Sequence, residues 1–231
     1  MSRPMSYLAP AAAALLLSAQ ALMAQQTDLT IALQLEPPHL DPTSAAAGAI
    51  DSVLYANVYE GLTRFTETGE VVPGLAESWE ISEDGLTYTF RLRDGVTFHD
   101  GSTMDAEDVK FSLDRARGED SLNAQKALFE GIAEVTVVDP RTVEVTLSKP
   151  DGMFLSNMAW GDAVIVAPES IEGIQQTPVG TGPFTFERWV TGDRIEMSRN
   201  PDYWGEAPAL EAVTFRFISD PTAAFAAMMA Q

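Results

Sequence analysis

The stretch VYEGLTRF at residues 58–65, followed by VPGLAESWEISEDGLTYTFRLRDGVTFHDGSTMDAEDVKFSLDRA at 72–116, carries the decisive pattern of this chain. Trp79 and Ile81 alternate with polar neighbours, as a half-buried strand requires. Ser82-Glu83-Asp84-Gly85 follows as a turn, with Asp-Gly suited to the positive φ of a tight reversal. Tyr88, Phe90 and Leu92 then share one face, and Thr87, Thr89 and Arg91 the other. The spacing predicts a hairpin with Trp79, Tyr88 and Phe90 in the core. Arg93-Asp94-Gly95 turns again into Val96–Phe98. Asp105 then opens a helix as its N-cap. Asp108 completes a capping box, and Met104 packs on Val109 as a hydrophobic staple. Val109, Ser112, Leu113 and Ala116 fall on one stripe, while Glu107 and Asp108 suit the positive end of the helix dipole. The three acids therefore read as capping groups rather than as a metal cluster.

The same patterns continue on either side. Leu29–Leu35 reads as a strand halted by Glu36-Pro37-Pro38, and His39-Leu40-Asp41-Pro42 as a turn. Ile50, Val53, Leu54 and Val58 predict a helix over Ala45–Leu62, with Gly61 near its end. Val135–Val138 and Thr142–Leu147 form a second hairpin around Asp139-Pro140-Arg141. Phe184–Phe186 and Ile195–Met197 form a third, around Thr191-Gly192-Asp193. Val213, Phe215 and Phe217 give a further strand, and Asp220-Pro221 opens a helix through Met229. That helix stops at Gln231 without Gly, Asn or a basic last turn, an ending expected of a truncated chain.

The 231 residues carry a net charge of −20, with 34 acids against 14 bases, so no basic surface exists to replace the counterions of a nucleic acid. Residues 1–24 have a different character. Arg3 precedes an apolar run, Leu8–Met23, and Ala19-Gln20-Ala21 is a small-residue cleavage site. Ser18 and Gln20 interrupt the run short of the roughly 20 residues of a membrane span, so the segment reads as a cleavable secretory signal. Cysteine is absent. The exported chain must fold without disulfides, lacks the Cys that anchors a lipoprotein, and holds no Cys-type zinc site.

Catalytic chemistry is sparse. The two histidines, His39 and His99, show no HExxH spacing, and neither a G-x-S-x-G elbow nor a P-loop occurs. His39 sits in a Pro-rich turn where it can face a ligand, and His99 reads as a turn residue donating locally. Gly180-Thr181-Gly182-Pro183 leads into a strand and fits a turn, whereas a phosphate loop leads into a helix. Trp160, in a connection between apolar runs, either walls a ligand cleft or packs in the core. The many acids leave a secreted carboxylate-based hydrolase as an alternative, but nothing in the sequence sets two of them across a scissile bond.

Several ordered motifs share a resemblance that runs through the exported chain. Val58–Leu62, Pro73–Trp79, Asp84–Phe98, Gly180–Phe184, Asn200–Gly205 (NPDYWG) and Asp220-Pro221-Thr222 resemble the solute-binding proteins of bacterial ABC importers, family 5, which take dipeptides, oligopeptides or nickel. The resemblance implies an α/β fold of the periplasmic-binding-protein type II, a Venus flytrap. This chain would supply its first lobe, with an inserted α+β subdomain and with the second lobe absent. Residues 25–42 and 169–231 would form the sheet subdomain, and 43–168 the insertion. The implied function is capture of peptides in the periplasm, as a non-enzymatic monomer free of cofactors and metals, for delivery to an inner-membrane ABC permease. A gene fragment without independent function is the remaining alternative. The implied ligand-facing residues are Glu36, His39, Ser52, Trp160, Gly161 and Asp162. Nickel-binding relatives place an arginine near the last three, and this chain has none from Leu155 to Ser170.

Overall fold

In the computed structural model, residues 27–44 and 47–229 are described; the expected signal segment, residues 1–24, lies outside them. Two four-stranded sheets organise the chain. In the first, β1 (Asp28–Leu33) runs parallel to β10 (Ala212–Phe217). It is followed across the sheet by β9 (Arg194–Arg199) and β8 (Phe184–Val190), both antiparallel to their neighbours. The second has the order β4 (Ala76–Ile81), β5 (Thr87–Leu92), β7 (Thr142–Leu147), β6 (Ile132–Asp139), all antiparallel. A two-stranded ribbon, β2 (Thr63–Phe65) with β3 (Val71–Pro73), stands beside it. The second sheet is thus drawn entirely from sequence lying between β1 and β8.

The decisive hairpin forms as its alternation requires. Tyr88, Phe90 and Leu92 of β5 are buried, and Trp79 of β4 lies directly across from Phe90. Gly85 turns the chain with φ +70°, a left-handed conformation that costs glycine little. Phe90 meets the rings of Trp79, Tyr88 and Phe154 at centroid separations of 6.5, 6.5 and 6.3 Å.

Helix α2 (Ala106–Arg117) covers this sheet from β6 and β7. Its start carries the expected capping box: the Glu107 N–H donates to Asp105 Oδ1 (2.8 Å) and the Asp105 N–H to Asp108 Oδ2 (2.9 Å). The stripe Val109, Ser112, Leu113, Ala116 is buried. Ser112 is the polar member for a reason: its Oγ accepts from the Val166 N–H at 2.9 Å. It thereby ties the core of the second sheet to the apolar cluster under the first, which includes Leu40, Ile50, Leu54, Val166, Ile195 and Phe215.

One expected element is much shorter than the spacing suggested. The helix predicted over Ala45–Leu62 is α1, Gly48–Leu54. Beyond it Ala56 adopts φ +59°, and Asn57 Nδ2 closes the helix end on the Val53 carbonyl at 2.9 Å. The carbonyls of Asn57 and Val58 instead accept from the Phe184 and Gly182 N–H groups, at 3.0 and 2.9 Å. A backbone segment far along the chain, at Gly182 and Phe184, thus supplies those donors, and tertiary pairing overrides the local helical spacing. Gly61 does not terminate a helix; it pairs in a bridge with Val164.

Two short helices remain: α3 (Phe154–Asn157), and α4 (Pro221–Met229), whose first turn is capped by Asp220 Oδ1 accepting from the Ala223 N–H at 2.8 Å. Truncating Phe90, which is fully buried, is expected to lower the unfolding free energy by about 3–5 kcal/mol. Leu35→Ala, at a site 71% exposed, is expected to change it by less than about 0.5 kcal/mol. Denaturant melts of the two variants check this, and a small loss at Phe90 would contradict the core described above.

Candidate functional site

The sequence motifs converge on a single carboxylate. Glu60, in the VYEGL segment, accepts from Thr181 Oγ1 (2.9 Å), Tyr203 OH (2.9 Å) and Trp204 Nε1 (2.8 Å). Burial holds its pKa above the usual carboxylate value, with the three donors offsetting only part of the rise. The Arg93 guanidinium lies over the Trp204 ring, 4.5 Å from its centroid, and Arg93 Nε donates to the Gly74 carbonyl at 2.7 Å. The Gly180–Pro183 loop lies so close that a Cβ on Gly180 would fall 1.9 Å from the Val58 oxygen. His99 sits in a turn, closed by the Gly101 N–H donating to the Phe98 carbonyl at 2.9 Å, as expected, but its ring reaches across to the Gly180–Pro183 loop and does not bond locally. Its Nε2–H donates to the Gly182 carbonyl at 2.9 Å while Nδ1 accepts from the Gly180 N–H at 3.4 Å. Burial lowers its pKa and favours the neutral ring. Asn200 Nδ2 donates to the same Gly182 oxygen at 3.0 Å.

The expected ligand-facing residues fall elsewhere, in two groups. The first is a wall made by α1 and the turn that follows α3. Tyr55 OH donates to the Ala159 carbonyl at 2.5 Å and clamps the two segments together. Gly161 lies against Asp51, and a Cβ there would come within 2.6 Å of Asp51 Oδ1. Trp160 is 51% exposed, with its ring edge-on to Phe65 at 6.4 Å. Asp162 is only 7% exposed, and its backbone oxygen accepts from Asn123 Nδ2 at 2.9 Å. Desolvation, then the charge of Asp51, push the Asp162 pKa up to about 6. Desolvation also raises that of Asp51. Ser52 stands on the same helix, exposed, its Oγ donating back to the Gly48 carbonyl at 2.7 Å.

The second group lies at the end of β1. Glu36 Oε1 accepts from Trp189 Nε1 and from the Gly192 N–H, both at 2.8 Å, and so ties β1 to the β8–β9 hairpin. His39 Nδ1 accepts from the Asp41 N–H at 3.2 Å. His39 lines an open cleft of about 540 Å³ together with Gln175, Gln176, Thr177, Phe186 and Trp189. Among the described residues no hydrogen bond joins this group to the Trp160 wall. Nothing local in the sequence marks Asp51 and Tyr55, whose contacts at Gly161 and Ala159 lie more than 100 residues away. The role of Glu60 had one available sign: an acid set inside the apolar run VYEGL.

Glu60→Gln offers one acceptor oxygen to three donors and is expected to cost about 1–3 kcal/mol of stability, read by denaturant melts. Asp162 gives a pH-dependent outcome. Its pKa is raised in the fold from 3.8 to about 6, so the folded chain holds the proton more tightly than the unfolded one. The stability this confers is present below about pH 4 and lost as the pH rises through about 6. Asp162→Asn is therefore expected to stabilise the chain by about 1–2 kcal/mol at pH 7.5 and to leave it unchanged at pH 4. Equal effects at both pH values would contradict the desolvated carboxylate.

Comparison with known proteins agrees with the motifs and the fold. Residues 70–231 match the profile described as bacterial extracellular solute-binding proteins, family 5 middle. The glutathione-binding protein GsiB of Pectobacterium atrosepticum is 36% identical over 198 residues, covering 84% of this chain and 38% of that protein. The dipeptide-binding protein of Escherichia coli K12 is 33% identical over 222 residues, covering 82% and 41%. Among solved structures, the ABC transporter-associated periplasmic binding protein DppA of Helicobacter pylori, in complex with the peptide STSA, aligns with TM-score 0.79 and 30% identity over 88% of this chain and 45% of its own. The oligopeptide-binding protein AppA of Bacillus subtilis, in complex with a nonapeptide, aligns with TM-score 0.82 and 28% identity, covering 89% and 43%. The chain thus spans about two-fifths of the length of these relatives. A mixed α/β fold with these neighbours, together with a profile match over most of its length, makes this chain a member of the bacterial extracellular solute-binding proteins of family 5.

Proposed function

We propose that this chain supplies one wall of a periplasmic solute-binding component of an ABC importer, and that the solute is a peptide. The observation that carries the reading is Trp160, an aromatic left 51% exposed yet held edge-on by Phe65 in a segment clamped by Tyr55. Leaving a large apolar ring in water is unfavourable, and fixing it there makes sense where a partner surface covers it. The relatives named for glutathione and dipeptides, and the solved complexes with a tetrapeptide and a nonapeptide, support a peptide as that partner.

In this reading residues 25–42 and 169–231 are the sheet subdomain of the first lobe and 43–168 its insertion. Residues 1–24 direct export and are removed, leaving a free periplasmic monomer. Glu36, His39, Ser52, Trp160, Gly161 and Asp162 face the solute. A flytrap gains affinity when an opposing lobe closes and expels water, and the permease then selects the closed form. A single wall offers about half of the contacts and no closure.

The 231-residue chain is therefore expected to bind mixed di- to pentapeptides more weakly than micromolar by isothermal titration; micromolar binding would overturn the one-walled reading. Millimolar peptide is expected to alter tryptophan emission, with the change lost in Trp160→Ala and the peptide recovered intact. Hydrolysis of the peptide would instead favour a carboxylate-based hydrolase.

A further inference from the structure

We propose that Asp51 and Asp162, beside the exposed indole of Trp160, form a subsite for a positively charged group of the solute, an ammonium or a guanidinium. The proposal rests on the solute-binding reading above and adds to it a class of ligand.

The fold treats its other enclosed acids differently. Asp41, 1% exposed, faces the Arg115 guanidinium at 3.2 Å and accepts from the Thr43 N–H at 2.8 Å. Glu60 receives three side-chain donors. Asp108 receives the Asp105 N–H. Asp51 and Asp162 accept only through their backbone oxygens, Asp51 from the Tyr55 N–H and Asp162 from Asn123 Nδ2. No other described residue donates to either carboxylate, and none of the ion pairs among the described residues includes them. Arg64, an arginine of the adjoining β2, spends its Nε on the Pro73 carbonyl at 3.2 Å.

Asp162 is thus a residue only 7% exposed whose carboxylate has no donor beyond its own backbone N–H, next to the half-exposed Trp160 in sequence. Two like charges held near one another and partly out of water are unfavourable unless a proton or a cation joins them. Glycine at 161 is what lets the Asp51 carboxylate approach the turn that carries Asp162, since any Cβ would meet Oδ1 at 2.6 Å. Asp51 is held in place on α1, which Tyr55 clamps to Ala159. Trp160 immediately precedes the pair's turn and offers an exposed indole, the aromatic face that attracts cations most strongly. An organic cation satisfies all three features at once: two carboxylates that no other described residue donates to, and an uncovered ring.

The test follows the Trp160 indole N–H by NMR, which reads millimolar affinities, in the 231-residue chain at pH 7.5. The probes are the tripeptides Ala-Lys-Ala, Ala-Gln-Ala and Ala-Glu-Ala, and the diamine putrescine. Ala-Lys-Ala is expected to bind about tenfold more tightly than Ala-Gln-Ala, with Ala-Glu-Ala weakest. In Asp51→Asn/Asp162→Asn the Lys-to-Gln ratio is expected to fall to within about twofold of unity. Thermal melts confirm that the variant is folded, and the comparison of the three peptides on the unaltered chain stands without it.

Equal binding of Ala-Lys-Ala and Ala-Gln-Ala overturns the subsite and leaves the peptide-binding reading intact. Putrescine binding that depends on the two acids, with no peptide bound, supports the subsite and removes the peptide. Binding of none of the probes overturns both. Shifts of the same resonance by Mg²⁺ or Ca²⁺ and by none of the organic cations also overturn the proposal, since the pair would then be an inorganic ion site.

Discussion

The Glu60 carboxylate is the constraint on which the rest of the structure depends. An acid taken out of water must find donors or lose its charge, and the donors it finds come from Thr181, Tyr203 and Trp204. That requirement brings the start of the β8 strand and the turn after β9 onto the segment between α1 and β2. The approach is close enough to demand glycine at 180 and 182, where the backbone of Asn57 and Val58 leaves no room for a Cβ. It also explains why α1 is short. The carbonyls that a longer helix would have used internally are engaged by Gly182 and Phe184. The most distinctive motifs of the chain therefore meet at a joint between its two sheets and do not line the wall formed by α1 and the Trp160 turn.

The separation of joint from wall has a physical logic. A surface that must meet different solutes benefits from a frame whose geometry does not depend on them. Here the frame is a set of satisfied polar groups: Glu60 with its three donors, the neutral His99 between two backbone groups, and the Arg93 guanidinium on the Trp204 ring. The wall is the opposite. It keeps a half-exposed Trp160, a glycine pressed on a carboxylate, and two acids that lack donors. Sites that hold unsatisfied chemistry are the ones where a ligand has something to contribute.

Much of the architecture was legible from local rules. The β4–β5 and β8–β9 hairpins, the β6–β7 pair and the capped helix α2 follow from period-two alternation, Asp-Gly turns and the Asp105–Asp108 box. These signals are local because a turn or a cap is satisfied within a few residues. Spacing marks Ser112 only as part of a stripe, since its bond to Val166 spans 54 residues. His99 shows only its turn in the sequence for the same reason, and its ring reaches across 83 residues to Gly182.

By itself the sequence determined the strands of the two four-stranded sheets, the hairpin turns and helix cap of this protein, its acidic character and its family, because short-range periodicity and ordered motifs carry that information; the short β2–β3 ribbon left no such signal. Only the tertiary structure decided that α1 ends at Leu54, that Glu60 collects the motifs into one joint, and that Asp51 comes to rest against Gly161 near Asp162. The physical reason is one of distance along the chain. Each of those outcomes is a contest between a local preference and a hydrogen bond or desolvated charge contributed from about 100 residues or more away, and such contests are settled only when the chain is folded.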